Sequence, residues 1–388
     1  MAARFAGDAE VMVASAVPNA ILVVRLGAVG DVIRTLPAVS ALRKTWPDSR
    51  ISWAVEEPSA PLLEGHPDVS EVLVLSRRTL KGGKHITGIA PALAHLRDYR
   101  SALRERRFDW AIDFQGTLKS AMIARASGAT RTIGLGAGHA REHSSLLYSD
   151  PIALPRGPSG RMTRVARALA IVEKLGADVS TPRPILPVRE KEATVARALL
   201  DREAPRRPRV LIFPGTSEAQ AFKRYPVDLL ARVGDLVASA SGGTIVLGWG
   251  PGEETIADDV RRRLSVAPVV LPRTSLPELA EILRSCDLFI GSDTGPLHLA
   301  AAVGTRTVAI YGPTDAAINA PYTDKPGFSI AGDVFCRPCR YRGCQNRSCL
   351  RLIDPAFVAE RAMELLRQDP TATQDAAARR LLLLPLRS

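Results

Sequence analysis

The feature that most restricts this chain is an alternation, repeated in two blocks, of short β-branched or aliphatic runs with longer stretches of helical apolar period. Such a rhythm marks parallel α/β layers, because each parallel strand needs a crossover, usually a helix, before the next can form. In the first block, strands are expected near residues 21–25, 51–55, 72–75 and 109–113, and helices near 32–45, 90–106 and 117–126. The second block has strands near 210–213, 244–247, 269–271, 288–291 and 307–310, and helices near 227–240, 253–264, 276–285 and 296–303. Between them, residues 154–208 carry Pro155, Pro158, Pro182, Pro184, Pro187, Pro205 and Pro208 around helical stretches at 161–175 and 191–202, so a domain junction belongs there. The expected fold class is α/β, with two Rossmann-like domains whose parallel sheets face a cleft. Their expected bounds are 1–185 and 186–354, followed in 355–388 by a helix near 355–367 packing back toward the first domain and a tail frayed beyond Asp369. A length of 388 residues suits two such domains.

Charge narrows the partners without choosing among them. The chain holds 52 Lys+Arg against 40 Asp+Glu, a net charge of +12, which favours nucleic acid, a phosphorylated metabolite or an acidic membrane. Aromatic residues make up only 5% and no nucleic-acid recognition module is visible, so no nucleic-acid partner is expected. No apolar run approaches the roughly 18 residues of a membrane-spanning helix. The first twenty residues contain Asp8 and Glu10 and only a brief apolar patch at 11–17, which is unlike a secretory signal and makes the cytoplasm the expected compartment.

Open α/β sheets bind ligands at the carboxyl ends of their strands, so the loops after the expected strands carry the candidate chemistry. After the first strand, Arg25, Gly27, Gly30 and Asp31 form a glycine-bearing loop that runs straight into a helix. Asp31 there is either an N-cap or a carboxylate, kept ionised by helix amides, that can take a proton from a hydroxyl. The loop lacks GxGxxG, which counts against a nicotinamide-dependent dehydrogenase or an epimerase. In the second block, Ser292, Asp293, Thr294, Gly295 and His298 surround a helix start whose amides and hydroxyls either cap the helix or cradle a diphosphate. Thr216, Ser217 and Lys223 supply hydroxyl donors and a cation suited to phosphate oxygens, needing no bound metal. Trp249 lies among glycines, where it can flank a base, and Glu253 and Glu254 follow it as carboxylates able to accept ribose hydroxyls.

Two further features stand apart. Cys336, Cys339, Cys344 and Cys349 fall within fourteen residues, threaded with Arg337, Arg340, Arg342, Arg347 and Arg351. A Zn²⁺ site, a disulfide and reduced thiols all remain open for them, since the spacings depart from common zinc knuckles; Cys286 reads as core. Residues 76–107 hold nine Lys/Arg against Asp98 and Glu105, a basic face suited to phosphate or an anionic leaflet, or simply to solvent.

Taken in order and spacing, these motifs resemble glycosyltransferase family 9, the ADP-heptose:lipopolysaccharide heptosyltransferases. The resemblance runs from Ile21 to about Leu366 and is strongest in ILVVRLGAVGDVIRTLPAVSALRKTWP, AIDFQGTLKSAMIARASGA and FIGSDTGPLHLAAAVGTRTVAIYGPTD. It implies a GT-B fold, with an acceptor-binding first domain and a nucleotide-sugar-binding second domain. It further implies Asp31 as catalytic base, with Arg25, Gly27 and Gly30 on the acceptor-side loop. On the donor side it implies Thr216, Ser217, Lys223, Asp293, Thr294, Gly295 and His298, with Glu254 beside the ribose. The implied donor is ADP-heptose with no further cofactor, and the implied acceptor is of the Kdo-lipid A type at the inner face of the inner membrane. The segment AREHSSLLY resembles type I enzymes and the four-cysteine stretch type II, which leaves the acceptor open between Kdo and the first heptose.

Overall fold

The computed structural model describes residues 17–76, 89–155, 162–339, 341–369, 371–373 and 380–384. The apolar patch at 11–17, except Val17, and the cationic residues 77–84 of the basic stretch lie outside them, as do Pro158 and Arg340.

The first lobe is a six-stranded parallel sheet built from β1 (Ala20–Val24), β2 (Arg50–Glu56), β3 (Glu71–Leu75), β4 (Trp110–Asp113), β5 (Arg131–Leu135) and β6 (Asp150–Ile152), in the order β3-β2-β1-β4-β5-β6. Its crossovers include α1 (Val29–Ile33), α2 (Leu36–Thr45), α3 (Ile89–Glu105) and α4 (Leu118–Ala126). Every residue of β1 is buried, as expected of a central parallel strand covered on both faces. The helix expected over 32–45 is divided. Pro37 lacks an amide hydrogen and its ring crowds the preceding turn, so α1 stops at Ile33 and a second helix begins at Leu36. Strands β5 and β6 escape a pattern reading because they are short and β5 carries Gly134, where a Cβ would lie 2.4 Å from the Tyr148 ring. Tyr148 uses that space to donate its hydroxyl to the buried Asp113 at 2.7 Å, next to the loop that follows β4.

The chain crosses between lobes through α5 (Arg164–Lys174), packed on α2, and α6 (Glu190–Glu203). The second lobe repeats the first topology in β7 (Arg209–Phe213), β8 (Thr244–Leu247), β9 (Val269–Val270), β10 (Leu288–Ser292), β11 (Arg306–Tyr311), β12 (Gly327–Gly332) and β13 (Arg380–Leu384). The order is β13-β12-β11-β10-β7-β8-β9, all parallel. Its helices are α7 (Val227–Ser241), α8 (Glu254–Arg263), α9 (Leu276–Arg284), α10 (Gly295–Ala302), the single turns α11 (Ala316–Asn319) and α12 (Ser348–Arg351), and α13 (Pro355–Arg367). Local chemistry sets several ends. Ser275 and Glu278 form a capping box at the start of α9, and Gly242 closes α7 at φ +66°.

Two expectations about the C-terminus are corrected. Helix α13 packs on α7 and over β10, β11 and β12 of the second lobe, not back on the first. Its stripe of Val358, Ala359, Ala362 and Leu365 is buried in that lobe's core, and Arg306 there donates to the Leu365 carbonyl at 2.8 Å. Within the tail, residues 380–384 are not frayed but pair in parallel with β12.

Candidate active site

Each sheet reverses its strand order between two central strands, β1 and β4 in one lobe and β7 and β10 in the other. Loops diverge at such a switch point and leave a crevice. Here the lobes meet with those ends facing: α1, which follows β1, packs against α10, which follows β10.

Arg25, at the end of β1, is buried at 5% exposure. It donates to the Phe114 carbonyl at 2.6 Å and pairs with Asp31 at 2.7 Å, while Leu26 donates its amide to Gln115 Oε1 at 3.0 Å. Asp31 lies in the first turn of α1, yet the cap is Ala28 and no side chain caps that helix. The N-cap reading of Asp31 is therefore excluded, and among the described residues no backbone amide donates to its carboxylate. Its charge is held by arginines instead: Arg25 on Oδ2, Arg34 on Oδ1 at 2.6 Å, and Arg164 3.9 Å from Oδ1. Burial alone would raise its pKa, but Arg25, Arg34 and Arg164, with His298, override this and hold the carboxyl well below the usual carboxylate range.

A cavity of about 1010 Å³ opens between the lobes, at the upper limit of sites for small organic ligands. Asp31 and Arg34 line one side; Thr216, Ser217, Lys223, Trp249, Glu253, Asp293, Thr294, Gly295 and His298 line the other. Lys223 Nζ sits 3.0 Å from Asp293 Oδ2, and His298 Nε2 lies 3.6 Å from Asp293 Oδ1. Burial would raise the Asp293 pKa, but His298 and Lys223 hold it well below the ordinary value. Ser292 does not join the cradle expected of it: its hydroxyl accepts the Tyr225 amide at 3.2 Å, fixing the loop that carries Lys223. Glu254 is also corrected. Helix α8 starts at Glu254, which points to solvent, whereas Glu253 is buried, accepts the Gly250 amide at 3.0 Å and lines the cavity. Gly215 makes room for it, since a Cβ there would lie 1.9 Å from Glu253 Oε2.

Next to this cavity lies a smaller one of about 130 Å³, lined by Arg25, Arg34, Arg141, Arg164 and Arg167. Asp31, Arg25 aside, stands with Arg34 and Arg164 at the boundary, because these three line both spaces. Arg34 was legible in principle, being three residues from Asp31 on one helical face. Arg164 comes from the interlobe junction, and no local pattern points to it.

The four clustered cysteines remain free thiols, Cys336 exposed and Cys349 buried, and Cys286 is buried in the core. Among the described residues no group of three or more His, Cys, Asp or Glu side chains closes to a metal-holding arrangement.

The sequence profile of glycosyltransferase family 9 (heptosyltransferase) matches residues 96–350. The chain belongs to glycosyltransferase family 9. Among curated proteins it is 29% identical to lipopolysaccharide heptosyltransferase 1 of Pseudomonas aeruginosa over 336 residues, 84% of this chain and 87% of that one. Its fold is similar to a glycosyl transferase family 9 crystal structure from Veillonella parvula, with a TM-score of 0.74 at 22% identity, covering 90% of this chain and 97% of that one. It is likewise similar to E. coli heptosyltransferase WaaC with ADP-2-deoxy-2-fluoro heptose, with a TM-score of 0.68 at 26% identity, covering 89% and 99%. This family 9 glycosyltransferase has the GT-B fold, its two Rossmann-like lobes meeting at their switch points.

His298 gives the family 9 site a measurable signature. It is 3% exposed, and burial, followed by the Arg34 charge, pushes its pKa down to about 4 against the pull of Asp293. An unfolded imidazole takes up a proton near 6.5, the folded one only near 4, so the stability from keeping it neutral is present above 6.5 and lost as pH falls toward 4. The loss amounts to about 3 kcal/mol. Melting temperatures measured from pH 7.5 to 4.5 should therefore fall more steeply for the wild type than for His298→Gln; His66, also buried, remains in both proteins and cancels. Parallel curves would show that His298 titrates normally.

Proposed function

We propose that this enzyme moves heptose from ADP-heptose to the inner core of lipopolysaccharide, on a Kdo or first-heptose acceptor, by an inverting single displacement. The observation that carries the reading is the place of Asp31, on the wall shared by a cavity sized for a nucleotide sugar and a pocket lined by arginines. The donor would lie in the large cavity, with its diphosphate near Lys223, the Thr216 and Ser217 hydroxyls and the first turn of α10. The acceptor would bring an anionic group, carboxylate or phosphate, into the arginine pocket, where guanidinium forks match such groups. Curated relatives named as lipopolysaccharide heptosyltransferases, and a similar structure holding a fluorinated ADP-heptose, support the class of acceptor and the donor.

In the displacement, the acceptor oxygen forms a bond to the anomeric carbon as the bond to the ADP oxygen breaks, and the hydroxyl proton passes to Asp31. A carboxylate with so low a pKa takes that proton late, once bond formation has made the hydroxyl acidic. The negative charge growing on ADP is met by Lys223 and the α10 amides, fixed donors already in place. No cofactor is needed in this scheme. Among the described residues no helix is long and apolar enough to cross a membrane, so the lipid acceptor would be reached by peripheral adhesion of a +12 protein to the anionic inner face of the inner membrane, from the cytoplasm.

The test is an assay with ADP-heptose and Kdo-bearing lipid A in anionic vesicles, in the presence of EDTA. Release of ADP with heptosylated product, at a rate that falls as salt rises, is the expected result. No product from this donor, activity abolished by EDTA, or a salt-independent rate would remove the donor, the cofactor and the adhesion assignments respectively. On the nucleotide side, Glu253→Gln should weaken ADP binding about tenfold, the loss of one charge-assisted hydrogen bond, while Glu254→Gln leaves it unchanged. Calorimetric titration distinguishes the two, and the reverse ranking would restore Glu254 to the site.

A further inference from the structure

One residue of the second lobe reaches the arginines around Asp31. Asn319 ends the single turn α11, and its Oδ1 accepts from Arg34 Nη1 at 3.2 Å and from Arg164 Nε at 3.0 Å. Arg34 belongs to the first lobe and Arg164 to the crossing helix α5, packed on α2 of that lobe, and both face Asp31. The amide is held from behind: its Nδ2 donates to the Asp315 carbonyl at 2.9 Å, which turns the oxygen toward the guanidinium groups. Asp315 itself caps the turn by accepting the Ala317 amide at 3.0 Å, and Tyr311 donates its hydroxyl to the Asn319 carbonyl at 3.1 Å. Neighbouring Ile318 is the second lobe's residue in the lining of the arginine pocket, whose other walls come from the first lobe and from α5.

We infer that Asn319 is a positioning residue, through which closure of the lobes sets Arg34 and Arg164 around the base. Arg164 Nε stands between two oxygens, 3.0 Å from Asn319 and 3.9 Å from Asp31. With the amide oxygen in place, the stronger hydrogen bond of Arg164 goes to the second lobe and Asp31 Oδ1 is not closed over by a second guanidinium. With the lobes apart or the amide removed, that Nε has the carboxylate as its nearest partner, and the acceptor hydroxyl must compete for it. Asn319 thus links donor-lobe closure to the access of the acceptor to Asp31, which rests on the reading of Asp31 as base.

The test uses the full-length enzyme with ADP-heptose and the Kdo-bearing acceptor. Asn319→Leu, of similar shape, should lower kcat 10- to 100-fold with ADP affinity changed less than twofold and the melting temperature unmoved. Asn319→Asp keeps an oxygen between the guanidinium groups but sets its other oxygen against the Asp315 carbonyl, so it should recover only part of that loss. In an Arg164→Met background, Asn319→Leu should lose the part of its effect that acts through Arg164 and keep only that acting through Arg34, so the two changes should be clearly less than additive. Wild-type kcat in Asn319→Leu, a parallel fall of kcat, ADP affinity and melting temperature, or full additivity with Arg164→Met would each overturn the inference. Asp31→Asn, assayed alongside, separates the two claims: near-wild-type activity there removes the base itself, whereas an inactive Asp31→Asn beside a fully active Asn319→Leu removes only the role of Asn319.

Discussion

Asp31→Asn is expected to lower turnover about 10³-fold, within the span that positioned proton acceptors contribute to group transfer. The asparagine keeps the shape of the side chain and one oxygen toward the arginines, so lost activity reports lost charge and basicity rather than a rearranged loop. Some stability should go as well, because Arg25 is almost fully buried and would keep the Phe114 carbonyl but lose its counter-charge. Breaking a buried pair from one side costs about 3–5 kcal/mol when nothing replaces it, and the retained amide oxygen makes that an upper bound. A circular-dichroism melt beside the kinetic assay separates the two effects. A folded Asp31→Asn enzyme that retains more than a tenth of the wild-type turnover would show that the proton leaves by another route.

Gly30→Ala is expected to lower turnover about 10²-fold by a different route, through the fit between the lobes. A Cβ at position 30 would lie 2.7 Å from His298 Cδ2 and 3.6 Å from the Gly295 Cα. His298 is buried on α10, so the added methyl must displace its ring or push the helix starts apart, and either change disturbs the site. Misplacing reacting groups by about 1 Å commonly costs a factor of this size. Because Gly30 does not adopt a left-handed backbone, the substitution strains no dihedral, and any fall in melting temperature reports overpacking against His298, a cost of about 1–3 kcal/mol. Wild-type kcat in Gly30→Ala would mean that the lobes do not meet this closely during turnover.

Much of this architecture can be read from residue order, because it is written locally. The strands ending at Val24, Phe213 and Ser292, and the small-residue loops that follow, are short-range patterns, and the folded chain brings Asp31, Lys223, Asp293 and His298 to one cavity. What escaped depends on phase or on partners distant in sequence. Glu253 and Glu254 differ by one position at a helix start, and only the turn of α8 decides which one faces inward. The stripe on α13 shows that one face is buried but carries no information on which lobe buries it. Arg164 and Asn319 are separated from Asp31 by the whole first sheet and by most of the chain, and their roles exist only once the lobes are assembled. The break between α1 and α2, by contrast, was announced by Pro37 and is a matter of giving a proline its due weight.

The crowd of guanidinium groups around so small a void has a consequence for the resting enzyme. Arg141, Arg164 and Arg167 each lie in a neighbour's field, and burial together with that mutual repulsion drives the pKa values of Arg164 and Arg167 down. Asp31 lies among five guanidinium groups, with Asp113 and Asp293 offsetting part of the charge on Arg25 and Arg164, and the balance makes the pocket a positive one suited to a small oxyanion. Added sulfate or phosphate is therefore expected to raise the melting temperature by mass action and to compete with the acceptor, which titration of either ion in thermal melts and in the kinetic assay checks. The choice of counter-ion thus belongs among the variables of every kinetic measurement on this protein.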